Sequence, residues 1–168
     1  VTGLACLFRV SGLPIPQGHV RSVTKGGRTW SFHGSPGLKP WRDQVALVAQ
    51  DAMRGQGEPY QGPVAVALGF RFPRPKSHYG TGRNARTLKP QAPAYMTTRP
   101  DVDRLARAVL DAISVGPGPI LADDSLVVSL EAGKAWCDLD EGPGVTVFVC
   151  DVAGMERAWY PPTLPRQA

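Results

Sequence analysis

The sequence predicts an α+β single domain in which a mixed β-sheet packs with two main helices, and three observations carry that prediction. The chain has 168 residues, enough to bury one core and too few for two. Val64 to Phe72 alternates, with Val64, Val66, Leu68, Phe70 and Phe72 on one face and Ala65, Ala67, Gly69 and Arg71 on the other, the period of a strand with one buried face. On either side of that strand in sequence, a segment repeats apolar residues at helical spacing. Residues 1–150 are assigned to the domain, with a basic loop at 73–100. Residues 151–168 form a Pro-rich tail (Pro161, Pro162, Pro165) expected to be disordered or to dock on a partner.

The first element is an apolar run, Leu4 to Val10, interrupted by Arg9 and closed by Ser11-Gly12, Pro14 and Pro16, which reads as a strand and its exit. Residues 11–40 then read mostly as loop. Gln17 to Arg21 and Lys25 to Trp30 set cations and an aromatic beside Gly26-Gly27. Two readings stand: a phosphate-contacting segment, or a solvated hairpin with Trp30 covering the core. Pro40 opens a helix whose stripe is Trp41, Val45, Val48, Ala49, Ala52 and Met53, stopping near Gly55.

After the Val64–Phe72 strand, periodicity disappears from Pro73 to Pro100. Arg74, Lys76, Arg83, Arg86, Lys89 and Arg99 accumulate there among His78, Tyr79 and Tyr95 without one acidic residue. Loops this long are usually functional or disordered, and cations beside aromatics hold phosphates and stack bases. Asp103 is expected to N-cap a second helix carrying Leu105, Val109, Ala112 and Ile113 and ending at Gly116-Pro117-Gly118. Leu126–Leu130 and Val145–Cys150 read as two further strands, joined through Gly133-Lys134 and the acidic, Gly-rich turn from Asp138 to Gly144.

A formal net charge of +5 and a pI of about 9.4 point to an anionic partner. Cys6, Cys137 and Cys150 are odd in number and lack C-x-x-C spacing, so neither a disulfide framework nor a zinc site is indicated, and a reducing cytoplasm fits best. No apolar stretch approaches the ~20 residues that cross a bilayer, and no secretion signal is legible, so a soluble, cytoplasmic protein without a membrane partner is expected.

Against this basic background, Arg99-Pro100-Asp101-Val102-Asp103 and then Asp123-Asp124 gather carboxylates. Converging carboxylates must hold protons or share a cation, and hard oxygen ligands favour Mg²⁺, Mn²⁺ or Ca²⁺. In extended backbone Asp101 and Asp103 leave the chain on the same side, and Asp124, or Asp123 beside it, could complete a cluster facing a phosphodiester. Arg107, one helical turn after Asp103, could reach the same phosphate; a salt bridge to Asp111 is the competing explanation. Lys134 is a candidate second cation. Arg21, Lys25, Arg28, Arg74, Lys76, Arg83, Arg86, Lys89 and Arg104 are candidate DNA-backbone contacts. The plain structural alternative makes Asp103 a helix cap, Asp101 a turn residue and Asp123-Asp124 the cap of a strand entry, with no metal. An EF-hand is excluded, because Ala106 stands where that loop needs glycine.

The stretch R-P-D-V-D-R-L-A-R-A-V-L-D-A-I, then L-A-D-D-S-L-V-V and Gly133-Lys134, resembles the RusA-type Holliday junction resolvases of bacteria and their phages. G-L-P-I-P-Q-G, K-P-W-R and F-P-R-P-K-S-H-Y-G also look like the phage-borne branch. The resemblance runs from about Phe8 to Val149. It implies a Mg²⁺-dependent endonuclease, acting as a homodimer, that resolves four-way DNA junctions by paired symmetric nicks during recombination and repair. It places the catalytic carboxylates on Asp101, Asp103 and Asp124, with Asp123 adjacent. The chain departs from the family's pattern at two positions, where asparagine and lysine are usual and Arg104 and Arg107 stand here. Two rivals remain: a branched-DNA-binding protein of the same fold with weak or no cleavage, and a nuclease for flaps or other branches.

Overall fold

The computed structural model describes residues 5–152 apart from 19, 34, 55, 56 and 117, so the tail from residue 153 lies outside the described residues. In chain order the elements are β1 (Ala5–Ser11), β2 (Val20–Lys25), β3 (Arg28–His33), α1 (Leu38–Ala52), β4 (Val64–Phe72), α2 (Val102–Ser114), β5 (Val127–Trp136) and β6 (Gly144–Asp151). A four-stranded sheet runs in the order β1-β6-β4-β5, and only the β4–β5 pair is parallel. The sheet is therefore mixed, as expected. A parallel neighbour demands a long crossover. Here the basic loop and α2 make that crossover, which brings the loop's exit and the acidic motif back to the sheet.

Both helices cover one face. Cys6, Phe8 and Val10 of β1, the Val64–Phe72 stripe of β4, and Val145, Val147 and Val149 of β6 join Trp41, Val45 and Ala49 of α1 and Leu105, Val109, Ala112 and Ile113 of α2 in a single core. The stripe read for α2 is buried throughout, while in the α1 stripe Trp41, Val45 and Ala49 are buried, Val48 and Met53 are half-buried and Ala52 is exposed. On the opposite face Leu7 of β1 stays exposed and pairs across the ladder with the exposed Phe148 of β6. The cysteines are buried, and desolvation pushes the Cys6 and Cys137 thiols above their ordinary range, so they pack as small hydrophobes.

Two segments depart from expectation. Part of the predicted 11–40 loop is the β2–β3 hairpin. Gly26 and Gly27 both carry positive φ (61° and 75°), the requirement of a tight two-residue hairpin turn that glycine meets without strain. Trp30 is 52% exposed and does not cover the core. Strand β5 continues through Gly133-Lys134 to Trp136 instead of stopping at Leu130. Its pairing with β4 supplies the reason, because Gly133 lies opposite Gly69 and Lys134 opposite Phe70. Those contacts across the ladder are invisible to a local pattern.

α1 and α2 are bound by a charge pair as well as by packing. Arg42 pairs with Asp111 and also donates to the Gln17 side-chain oxygen, both ionic partners being largely buried. The Gln17 backbone N–H donates to the Arg104 carbonyl at 3.0 Å. The Gly12–Gly18 segment is thereby moored to the first turn of α2.

Candidate active site and nucleic-acid interface

α2 begins two residues earlier than expected. Asp101, extended at φ −74° and ψ 139°, is the N-cap residue, and its carbonyl accepts the first helical bond from Leu105 N–H at 3.2 Å. Asp103 is therefore not the cap. It sits in the first turn, where its exposed carboxylate is favoured by the positive end of the helix dipole. The argument that Asp101 and Asp103 share a side through extended backbone fails here, because the chain turns helical at Val102. Asp101 makes no side-chain cap bond and instead faces Arg104, with Nε 3.7 Å from Oδ2. At that distance, with both groups partly exposed, the pair is weak.

Arg107 follows Asp103 by one turn and is exposed. Its proposed competitor role is excluded, since Asp111 pairs with Arg42 instead. Among the described residues no ion pair or side-chain hydrogen bond engages Arg107, so its guanidinium stays available. Lys134 is placed by the register on the helix-covered face, which sequence alternation alone could not decide. Its ammonium donates to the carbonyls of Thr98 at 2.6 Å and Pro100 at 2.7 Å. It thus holds the end of the basic loop against β5, immediately before Asp101.

The second acidic block arrives from the other end of α2, since Leu121 N–H donates to the Ile113 carbonyl at 3.1 Å. Asp123 caps a short 3-10 turn over Asp124–Leu126, accepting the Ser125 N–H at 2.8 Å, and the Ser125 hydroxyl first, with this N–H second, holds its carboxyl below the ordinary range. Asp124 opens that turn and is exposed. The turn packs on α2, so the two blocks lie on neighbouring elements. Yet among the described residues no three Asp, Glu, His or Cys side chains stand close enough together to hold one metal ion. The donor chemistry of Asp101, Asp103 and Asp124 suits a hard cation, but their placement does not form a cage for one.

The basic loop has 3-10 turns at Lys76–His78 and Gly82–Asn84 and no longer helix or strand. Several of its cations are committed to the fold. Arg74 donates to the Pro93 carbonyl at 2.8 Å and lies 5.7 Å from the Trp136 ring centre, which His78 meets edge-on at 5.5 Å. Lys89 donates to the Ser77 carbonyl at 2.9 Å. Arg86 pairs with Asp140 at 2.9 Å, and that carboxylate raises the arginine's pKa further. Lys76, Arg83 and Arg99 have no such partner among the described residues. Lys25 and Arg28 flank the hairpin turn and are exposed, while Arg21 lies within β2.

Sequence reasoning missed the structural parts of this site. Arg42 and Asp111 are far apart in the chain, and no local signal links them. A strand ending at Leu130 leaves out Trp136, the last residue of β5. The G-L-P-I-P-Q-G segment reads in sequence as the exit of the first strand and as a family likeness, whereas in the structure Leu13 and Ile15 line a pocket with Phe72, Arg99, Asp101 and Arg104.

Similarity to known proteins agrees with this arrangement. YqaN of Bacillus subtilis (strain 168), described as an uncharacterized protein, is 32% identical over 152 residues, 87% of this chain and 96% of that protein. None of the described helices is long and apolar enough to cross a membrane. Residues 11–149, which hold both acidic blocks, the basic loop and the Gly12–Gly18 segment, match the family model described as endodeoxyribonuclease RusA, and the chain belongs to that family.

Proposed function

We propose that the protein is a structure-selective endonuclease that resolves four-way DNA junctions by paired symmetric nicks, working as a homodimer in the cytoplasm during recombination and repair. The observation that carries this reading is the latch at Lys134. It ties the last residues of a loop with unpaired cations to the residue before the Asp101–Arg107 turn, so a polyanion held by the loop passes beside the exposed carboxylate of Asp103. In this reading Lys76, Arg83, Arg99, Lys25 and Arg28 hold phosphates. Arg107 meets the charge that builds on the phosphate in the transition state. A homodimer follows from the task, since a junction presents two equivalent strands and both must be cut.

Dependence on Mg²⁺, or Mn²⁺ in its place, belongs to the same proposal and rests on the oxygen donors of Asp101, Asp103 and Asp124. A junction-binding relative that does not cut is the second reading, favoured by the spread of those three carboxylates. Nicking of a labelled four-way junction in Mg²⁺ or in EDTA separates them. Paired nicks that need the metal support the resolvase. Tight junction binding with no cut in either condition establishes the binding protein. Competition by flaps and plain duplex at matched salt tests substrate choice, because nonspecific phosphate binding is steeply salt dependent.

A further inference from the structure

The pocket beside Asp101 joins an apolar wall to charged residues, and the apolar wall is more than a phosphate backbone alone would need. It encloses about 560 Å³ between the Gly12–Gly18 segment, the end of β4 and the start of α2. Leu13, Ile15 and the buried Phe72 line it together with Arg99, Asp101 and Arg104. Leu13 leaves half of its surface (51%) open to solvent at a point where the chain is firmly held through Gln17. A rigid, exposed apolar wall next to two guanidinium groups suits a flat, uncharged ring attached to a phosphate.

Resting on the branched-DNA reading above, we propose that this pocket receives one unstacked nucleobase at the branch point, next to the phosphate to be cut. Bases at a branch lose stacking partners that duplex bases keep, so drawing one into a pocket costs least there. The ring would lie against Leu13 and Ile15, while Arg99 and Arg104 face its phosphates and present guanidinium planes on which a base can stack. The pocket would then do two things: select branches over plain duplex, and fix the scissile phosphate relative to Asp101 and Arg107. It would also give cleavage a base preference without any reading of groove edges.

The test uses the full chain and four-way junctions carrying 2-aminopurine at one branch nucleotide at a time, in EDTA so that no strand is cut. Binding is followed separately by the anisotropy of an end label. The account expects a several-fold rise in 2-aminopurine emission at one branch position on binding, and none at positions within the arms. Leu13→Ser should abolish most of that rise with little change in affinity, whereas Leu47→Ser, at a still more exposed leucine on α1, should leave it unchanged. Junctions bound normally with no rise at any branch position, or with the same rise in Leu13→Ser, overturn the pocket assignment and leave the branched-DNA reading intact. Failure of the anisotropy assay to show preference for the junction over duplex overturns both.

Discussion

The basic loop and the first two turns of α2 are both rich in charge, yet they use it differently. In the loop, Arg74, Arg86 and Lys89 are spent on a tryptophan face, an aspartate and carbonyls, and they shape a segment that lacks regular structure. On α2, Asp103 and Arg107 project from a helix already fixed by its buried stripe and by the Arg42–Asp111 pair, and nothing in the described fold needs them. A charged residue without a structural task on a rigid element is the better functional candidate. Residue type drew attention to both regions, and partners separate them.

The largest expected effect lies on α2. Asp103→Asn should lower junction cleavage by about a hundredfold or more while leaving the fold and DNA affinity intact, the size typical of losing one charged group at a reacting centre. Single-turnover nicking beside a binding isotherm checks it. Arg107→Ala should cost about tenfold or more in the cleavage step, with Arg107→Lys restoring most of it, since the charge and not the planar fork is what the family's usual lysine shares. Equal loss in both variants would show that the guanidinium geometry matters instead.

Next in size is the scaffold beneath that helix. Asp111→Ala strands the largely buried Arg42, and should cost about 2 kcal/mol, a fall in Tm of about 6 °C in thermal unfolding. Within the loop, Lys76→Ala and Arg83→Ala should each weaken binding and lower the salt slope of log Kd by about one, one phosphate contact apiece. Lys89→Ala should lower thermal stability with the slope unchanged. A slope that falls for Lys89 and holds for Lys76 would reverse the division drawn above.

The smallest effect concerns Asp123. Its carboxyl is held below the ordinary range by the Ser125 hydroxyl and then by the Ser125 N–H, so these bonds stabilise the fold above the usual carboxylate pKa and that contribution is lost as pH falls through the lower folded value. Asp123→Ala should therefore be slightly less stable than wild type at neutral pH, with the gap closing in acid. Cleavage should be little changed.

Much of the fold was legible because its signals are local. The alternation of β4 and the stripe of α2 report burial directly and are buried as read, and the α1 stripe is buried at Trp41, Val45 and Ala49 but exposed at Ala52 near its end. The hairpin at Gly26-Gly27 was legible as one of two readings of its segment, although Trp30 does not cover the core, whereas the full length of β5 was not legible, since it depends on pairing with β4 opposite Gly133-Lys134. At the site, the acidic motif stood out against a basic chain, and the family match includes it. What the pattern of aspartates did not convey was their division of labour. Asp101 ends up as the cap position, Asp123 as a turn cap, and Lys134 as a latch on two carbonyls, because the helix starts at Val102 and the register turns Lys134 inward.

The most direct test of the whole account is nicking of one mobile four-way junction in Mg²⁺ by wild type and Asp103→Asn, with binding measured on the same samples. The account predicts paired, symmetric nicks from wild type, and none from a variant that still binds. Equal cutting by the two proteins, or no cutting by a wild type that binds the junction tightly, would contradict it.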